Sequence, residues 1–496
     1  MFILTKKETY KQSLQKMADQ LEGIQVGPLI GVKVGDYQLG WMKCKHFENF
    51  HAFEDGFLIG KIRFDEKPQD DIIQHTGKMP SEFHPLLEGT LIRVNGKTIV
   101  CEPLNTTNIY YYQDSVSDMQ LLIADLERLK PSPEGVAVLA TVGYFPGNLT
   151  LFNEIKKIPF LLKYDVSQKK TIGNTKIEIH KPDDNRLIER LVEIVPEHPR
   201  QYLGISAGYD SRFVLGILLR GKINLELIHL LSIEETDLVK QIASVLNLPL
   251  HIVEDKAKPF NTYAYSLATD AQIYLGGGGY SCTHEYIDPS SLYHNGFYAN
   301  AVLKNAFKTA MKIPGKIESI YHKLIDHALL SNVNSEIIGL KHFNQKNELR
   351  EYLERELDFG KHYFEMKTKK EWANWFSYLH LGLRWCKATT ADLSYFTQPI
   401  FLLSDIVALT YGISSSAWSN FKNDRVRAMN RILLPYLDVA YSGGQITYNN
   451  TITNSINKVK YEYFNRLMVY MRGRKAFREK SREAKLFSEV EINEPG

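Results

Sequence analysis

The segment QYLGISAGYDSRFVLGILLRGK, from Gln201 to Lys222, decides the fold of this 496-residue chain. Residues 202–205 form a short apolar run, which predicts a buried strand. Residues 206–212 are small and polar, and residues 213–219 form an apolar run with helical character. A strand, a tight polar loop and a helix in this order direct backbone N–H groups towards an anion. The segment therefore predicts a phosphate-binding loop.

The side chains of this loop suit the same role. Ser206 and Ser211 carry hydroxyl groups that can donate hydrogen bonds to phosphate oxygens. Gly208 allows the backbone to approach a ligand closely, and Asp210 can hold a divalent cation that neutralises phosphates. Because no Gly-Lys-Ser/Thr follows, the loop is not of the Walker type. Taken alone, the pattern also fits an ordinary strand–turn–helix corner.

The loop resembles the Ser-Gly-Gly-x-Asp-Ser pyrophosphate loop of the N-type ATP pyrophosphatases. It is most similar to the synthetase domain of the asparagine synthetase family, with Ala207 in place of one glycine. The resemblance implies a set of residues that bind the pyrophosphate part of ATP: Ser206, Ala207, Gly208, Tyr209 and Ser211. It implies Mg²⁺ at Asp210. Asp210 and Arg212 are the candidate catalytic residues, although Arg212 could either pair with a phosphate or simply cap the sheet edge.

Residues that follow the loop predict a parallel sheet. Apolar strands at 225–231 and 250–253 flank an amphipathic helix at 234–246. Strands that alternate with helices form parallel sheets, and nucleotides bind such sheets at the carboxyl ends of the strands. In the family the second strand lines the adenine pocket, mostly through its backbone. The resemblance therefore implies that Leu231 contacts the adenine.

The first part of the chain has a different pattern. Short β-rich runs recur between residues 27 and 181, while residues 1–25 predict a polar helix preceded by the apolar residues 1–4. Asn95-Gly96 is a strong signal for a β-hairpin. We expect an antiparallel, sheet-based domain here.

A second resemblance lies at GYFPGNLTLFNEI, from Gly143 to Ile155. It is similar to the segment that joins the glutaminase half of asparagine synthetase-like proteins to the synthetase half. The alternative is a Pro-Gly turn before a hairpin. Together, the resemblances of this segment and of the loop imply an α/β protein in which residues 1–181 form a glutaminase-like α+β sandwich. Residues 182–496 would form a parallel-sheet ATP-pyrophosphatase domain with a helical C-terminal part.

Two departures from the family affect the expected chemistry. The nucleophilic cysteine of the glutaminase site is replaced by Phe2, and Cys44 and Cys101 are better interpreted as small buried residues than as nucleophiles. We therefore expect no glutamine hydrolysis. Asn300 and Ala301 stand where the family has an acidic pair that helps to hold magnesium. An Asn300 carbonyl oxygen can still bind a hard cation, but both charges are lost.

Composition excludes several classes of function. The net charge of +3 and the lack of a long basic run do not suggest a nucleic-acid partner. The apolar start is too short for a signal peptide, and no stretch is long enough to span a membrane. Four cysteines without metal-ligand spacing suit a reducing compartment, so we expect a cytoplasmic protein. A homodimer is a further expectation for its assembly.

Two hypotheses of function follow. In the first, the chain is an ATP- and Mg²⁺-dependent amide ligase that forms AMP and pyrophosphate without glutamine. Its substrates would be a small-molecule, peptide or sugar carboxylate and an amine donor, in natural-product or surface-polysaccharide biosynthesis. In the second, it is a catalytically weakened nucleotide-binding scaffold. In asparagine and β-lactam synthetases the loop that corresponds to residues 438–444 carries a lysine that stabilises transition-state charge, and no lysine is present here. This absence and Asn300 favour the second hypothesis, whereas Ser206 and Asp210 favour the first.

Overall fold

The structure is a computed structural model of the chain. It describes the following residues: 1–21, 26–43, 49–62, 87–104, 108–142, 145–158, 162–173, 184–193, 195, 199–232, 235–254, 287, 291–294, 296, 325, 346–357, 396–398 and 424–440.

The described strands of the first part form two antiparallel sheets. The first sheet has the order β10-β8-β9-β1-β3-β2, and its strands are β1 (Phe2–Thr5), β2 (Leu29–Val34), β3 (Tyr37–Met42), β8 (Ile109–Tyr112), β9 (Ser115–Ser117) and β10 (Lys156–Ile158). The second has the order β12-β11-β7-β6-β5-β4, and its strands are β4 (Asn49–Phe53), β5 (Gly56–Ile62), β6 (Leu87–Asn95), β7 (Thr98–Leu104), β11 (Leu162–Asp165) and β12 (Lys170–Gly173).

The two antiparallel sheets pack face to face around one apolar core. Phe2 and Leu39 from the first sheet share this core with Ile59, Ile92 and Cys101 from the second. Successive side chains of a strand point to opposite faces, so Phe2 and its neighbour Ile3 contribute to different clusters. The sandwich expected from the sequence is present.

The outer face of the first sheet is covered by helices. These are α1 (Tyr10–Gln20) and α2 (Gln120–Glu127), and α3 (Pro133–Val142) follows α2. Tyr10, Leu14 and Met17 of α1 pack with Leu122 of α2 and with Ile3 of β1. The helix predicted within residues 1–25 forms at Tyr10–Gln20. The prediction is wrong for residues 2–5, which form strand β1 and pair with β3.

The hairpin predicted at Asn95-Gly96 is confirmed. Asn95 of β6 pairs with Thr98 of β7, and Gly96 has a φ of +59°. This left-handed conformation is the one that the tight turn requires, and glycine adopts it without strain.

Residues 145–158 lie inside the sandwich part of the chain. Phe145, Leu149 and Ile155 are buried, and the backbone N–H of Leu151 donates to the side-chain oxygen of Gln120 in α2. Three strands of the antiparallel sheets, β10, β11 and β12, begin after Ile155. Any junction between the two parts therefore lies later than the segment expected to join them. The division at residues 181 and 182 stays a prediction.

The second part contains a parallel sheet with the order β15-β14-β13-β16-β17. Its strands are β13 (Gln201–Gly204), β14 (Leu225–Leu230), β15 (Leu250–Val253), β16 (Leu292–His294) and β17 (Phe396–Gln398). The described helices of this part are α4 (Asp184–Glu193), α5 (Tyr209–Arg220), α6 (Thr236–Leu246), α7 (Lys346–Leu357) and α8 (Asp424–Leu433).

Both faces of the parallel sheet are apolar. Leu203 and Leu227 point to the face covered by α4, α5, α6 and α8, while Tyr202 and Ile228 belong to a separate cluster with Val253. Burial on both faces fits the high apolar content of the two central strands β13 and β14. The expected α/β fold class with a parallel sheet is confirmed. Of the described helices, none has both the length and the apolar character needed to cross a membrane.

Candidate phosphate-binding site

The polar loop lies where the strand order of the parallel sheet changes direction. β13 is the central strand, with β14 hydrogen-bonded on one side and β16 on the other. The chain passes from β13 to β14 and β15 on one side, and reaches β16 on the opposite side only later. Open parallel sheets bind ligands in the crevice at the carboxyl ends of the strands at such a point. The residues after Gly204 are therefore in the best position in this sheet for a ligand.

The helix after this loop begins earlier than the sequence predicted. α5 starts at Tyr209, and Gly208 is its N-cap with an extended backbone (φ −78°, ψ 170°). The first turn of the helix therefore contains Tyr209, Asp210, Ser211 and Arg212, which the sequence had placed in the preceding loop. This places the positive end of the helix dipole directly at the carboxyl end of β13, where it favours an anion.

The two loop hydroxyl groups hydrogen-bond to each other. Ser206 Oγ lies 3.0 Å from Ser211 Oγ, and the backbone N–H of Gly208 donates to Ser206 Oγ at 3.2 Å. Ser211 Oγ also accepts from the backbone N–H of Ser206 at 3.1 Å and donates to its carbonyl oxygen at 2.9 Å. Ser211 is almost fully buried, whereas Ser206 is partly exposed. Ser211 thus fixes the loop shape, and Ser206 is the better placed to contact a phosphate.

The expected cation ligand is Asp210. It lies in the first turn of α5 and is partly exposed at the edge of the sheet. Within the described part of the chain, no group of three or more His, Cys, Asp or Glu side chains could hold a metal ion. An all-protein cage is not needed for Mg²⁺, because this ion commonly uses one or two carboxylates together with substrate phosphates and water. Asp210 therefore fits Mg²⁺ bound jointly with a nucleotide.

Arg212 is turned away from the loop. Its side chain is fully buried, and its guanidinium donates a hydrogen bond of 2.6 Å to the carbonyl oxygen of Val439 and another to that of Ala440. Of the two roles expected for Arg212, this placement favours the structural one. The guanidinium anchors the segment that follows α8 to the first turn of α5.

The first turn of α5 is braced by α8. Asn430 is fully buried and donates through Nδ2 to the carbonyl oxygen of Tyr209 at 3.1 Å. Further along the two helices, a Cβ added at Gly216 would lie only 2.6 Å from Cβ of Leu433. The absence of a side chain at Gly216 permits this close approach.

The segment after β16 passes next to the loop helix. A Cβ added at Gly296 would lie 2.9 Å from the backbone nitrogen of Ser211 and 3.0 Å from the carbonyl carbon of Asp210. Gly296 thus lies against the backbone of the first turn of α5. Asn300, the second expected metal ligand, lies outside the described residues.

Leu231 lies on the opposite side of the loop. It follows β14, and its backbone N–H donates to the carbonyl oxygen of Val253 at 2.8 Å. Its side chain is 52% exposed, which is high for a leucine beside a buried sheet. This side chain offers an apolar surface at the carboxyl edge, on the strand adjacent to the loop strand.

Sequence reasoning missed His229, which connects these two sides. His229 is 3% exposed in β14, and its Nδ1 lies 2.9 Å from the carbonyl oxygen of Ile205. Its Nε2 lies 3.1 Å from Oγ1 of Thr236, the first residue of α6. The signal in the sequence was a single histidine within the apolar run Leu225–Leu230. His229 therefore links the residue before the loop to the first residue of α6.

The chain was compared with known protein families and with curated proteins. No family model and no curated protein matches it. The resemblance to the asparagine synthetase family therefore stays a prediction based on the two motifs, and the function has to be inferred from the site.

Proposed function

We propose that the carboxyl edge of the parallel sheet binds ATP with Mg²⁺, and that the chain uses this ATP to activate a carboxylate. The observation that carries the proposal is the position of residues 205–208 at the switch point of the sheet, directly before the N-terminus of α5. Ser206 and Gly208 would contact the pyrophosphate group, Asp210 would share Mg²⁺ with it, and Leu231 would pack against the adenine.

The reaction would be the formation of an amide. A carboxylate oxygen attacks the α-phosphorus of ATP, the bond to pyrophosphate breaks, and an acyl-adenylate forms. An amine nitrogen then attacks the acyl carbon, AMP leaves with the carboxylate oxygen, and the nitrogen loses a proton. The protein's contribution would be to position the reactants and to stabilise the charge on the pyrophosphate.

Glutamine is not the proposed source of the amine. By the resemblance, Phe2 would stand where the family has its nucleophile, and its side chain is fully buried in the core between the two antiparallel sheets. Cys101 is fully buried in the same core. The amine would therefore be ammonia or an amine group of a larger substrate.

A second function, a nucleotide-binding scaffold without turnover, is favoured by the placement of Arg212. The guanidinium donates to two backbone carbonyl groups of the segment after α8, so its hydrogen bonds are directed to that segment and not to the loop. Asn300 in place of an acidic residue points the same way.

The exchange of radiolabelled pyrophosphate into ATP separates the two functions. With a panel of carboxylates, a ligase catalyses exchange with at least one member, and the Asp210→Ala variant loses that exchange. ATP binding without exchange on any carboxylate would favour the scaffold. Absence of both binding and exchange would exclude both functions.

A further inference from the structure

We propose that His229 is a positioning residue that sets the spacing between the phosphate-binding loop and the β14–α6 connection. This inference rests on the proposed nucleotide site, because it assigns the two ends of one ATP molecule to these two segments. The loop would hold the phosphates, and the connection, which begins at Leu231, would hold the adenine.

The two hydrogen bonds of His229 reach one segment each. The carbonyl group of Ile205 can only accept, so Nδ1 of His229 donates to it, at 2.9 Å. Ile205 directly precedes Ser206, which begins the loop. The ring therefore holds the backbone at the point where the loop leaves the sheet.

On its other side the ring contacts the start of α6. Nε2 of His229 lies 3.1 Å from Oγ1 of Thr236. The Thr236 hydroxyl donates to Nε2, and the same Oγ1 accepts from the backbone N–H of Ser232 at 2.9 Å. The carbonyl oxygen of Ser232, 2.6 Å from Oγ1, accepts from the backbone N–H of Thr236 at 3.1 Å. Thr236 thereby closes the connection into a small ring of hydrogen bonds, and His229 fixes this ring relative to the loop.

Burial makes these bonds effective as a spacer. His229 is 3% exposed and Thr236 is 7% exposed, so neither bond is weakened by competing water. The imidazole ring is rigid, and its two nitrogens point in opposite directions towards two different segments. Replacing it with an apolar ring of similar size keeps the packing volume but removes both bonds.

Loss of the His229 hydrogen bonds is expected to affect the binding of ATP and of pyrophosphate to different extents. Pyrophosphate would contact only the loop, whereas ATP would have to contact both segments at once. Loss of the spacer should therefore weaken ATP binding much more than pyrophosphate binding. A histidine with a purely structural role would weaken both ligands to the same extent or neither.

The test measures dissociation constants of Mg²⁺·ATP and of Mg²⁺·pyrophosphate for the full chain by isothermal titration calorimetry. For His229→Phe we expect ATP affinity to fall about tenfold and pyrophosphate affinity to change by less than about twofold. Thr236→Val removes the same bond from the other side without changing the shape of the side chain, and should show the same selectivity. Thr236→Ser keeps the hydroxyl group and should behave like the wild type.

His251→Phe is the matched control. His251 lies on β15, and its Nε2 is 2.6 Å from the carboxylate of Glu226 in a partly exposed pair. The ratio of the two affinities should not change in this variant. If His229→Phe does not fold, the Thr236 variants decide the question.

The outcomes distinguish the inference from the proposed function. A wild-type chain that binds both ligands, with an unchanged affinity ratio in Thr236→Val and in any folded His229→Phe, would overturn the role of His229 alone. A wild-type chain that binds neither ligand would overturn the proposed nucleotide site and the role of His229 with it.

Discussion

The guanidinium of Arg212 and the carbonyl oxygen of Val439 are joined by a hydrogen bond of 2.6 Å, although 227 residues separate them in the sequence. Arg212 lies in the first turn of α5 and is fully buried, and it also donates to the carbonyl oxygen of Ala440. The start of α5 and the segment after α8 therefore form one structural unit. The first turn of α5, directly after the polar loop, is thus held by residues from a distant part of the chain.

Arg212→Met should destabilise the fold. The change leaves one buried and one partly buried carbonyl group without their donor, so we expect the free energy of unfolding to fall by about 2–4 kcal/mol in chemical denaturation. Arg220 lies at the other end of the same helix and is exposed. Arg220→Met should change the unfolding free energy by less than about 0.5 kcal/mol. Equal stability of the two variants would contradict the anchoring role.

The two loop serines should respond differently to removal of the hydroxyl group. Ser211→Ala removes the donor and acceptor that fix the backbone of Ser206, so the unfolding free energy should fall by about 1 kcal/mol. Ser206→Ala should weaken the binding of Mg²⁺·pyrophosphate by about fivefold with a smaller loss of stability. Calorimetric titration and denaturation of both variants check this assignment, which the opposite pattern would refute.

Gly296→Ala should disturb the loop directly. The added Cβ would come within 2.9 Å of the backbone nitrogen of Ser211, so the first turn of α5 or the segment after β16 has to move. We expect weaker binding of Mg²⁺·pyrophosphate in calorimetric titration. Gly221→Ala is the control, since a Cβ there would make only ordinary contacts, with the shortest distance at 3.4 Å. Wild-type affinity in Gly296→Ala would show that this crevice does not bind the ligand.

Cys101 should make the stability of the fold depend on alkaline pH. Burial, with a smaller contribution from the Asp165 carboxylate, raises the pKa of the Cys101 thiol well above its ordinary value. The thiol is neutral in both states below about pH 8.5, and above this pH only the unfolded state loses the proton. The unfolding free energy should therefore fall as the pH rises.

The measurement for Cys101 compares wild type with Cys101→Ala in chemical denaturation from pH 7 to 10. Between about pH 8.5 and 10, the wild type should lose up to about 2 kcal/mol more than the variant. The window ends where unfolded tyrosines begin to titrate, near about pH 10. Parallel pH profiles for the two proteins would show that the thiol titrates normally in the folded state.

The elements that the sequence predicted best are those whose pattern is local. The strand Leu225–Leu230 is largely buried and rich in apolar residues, and Leu250–Val253 is apolar apart from His251, so both show a local pattern. The hairpin at Asn95-Gly96 was predictable because its turn requires a specific backbone conformation. In contrast, Phe2–Thr5 is too short to show a period, and it becomes a strand only by pairing with Tyr37–Met42.

The position of the polar loop after β13 was predictable, but the start of the helix that follows it was not. Polar residues are favoured in the first turn of a helix as well as in turns, so the start of α5 at Tyr209 could not be told from the sequence. The burial of Arg212 depends on the packing of α8, and the two bonds of His229 depend on where neighbouring segments leave the sheet. These are long-range contacts that leave no local signal.

The central claim is that the segment between β13 and α5 binds the phosphates of ATP. Equilibrium binding of Mg²⁺·ATP to the full chain, measured by calorimetric titration for the wild type and for Asp210→Ala, tests it most directly. The account predicts one saturable site in the wild type and a loss of affinity of at least about tenfold in a folded Asp210→Ala variant. Failure of the wild type to bind Mg²⁺·ATP, or equal affinity in the two proteins, would contradict it.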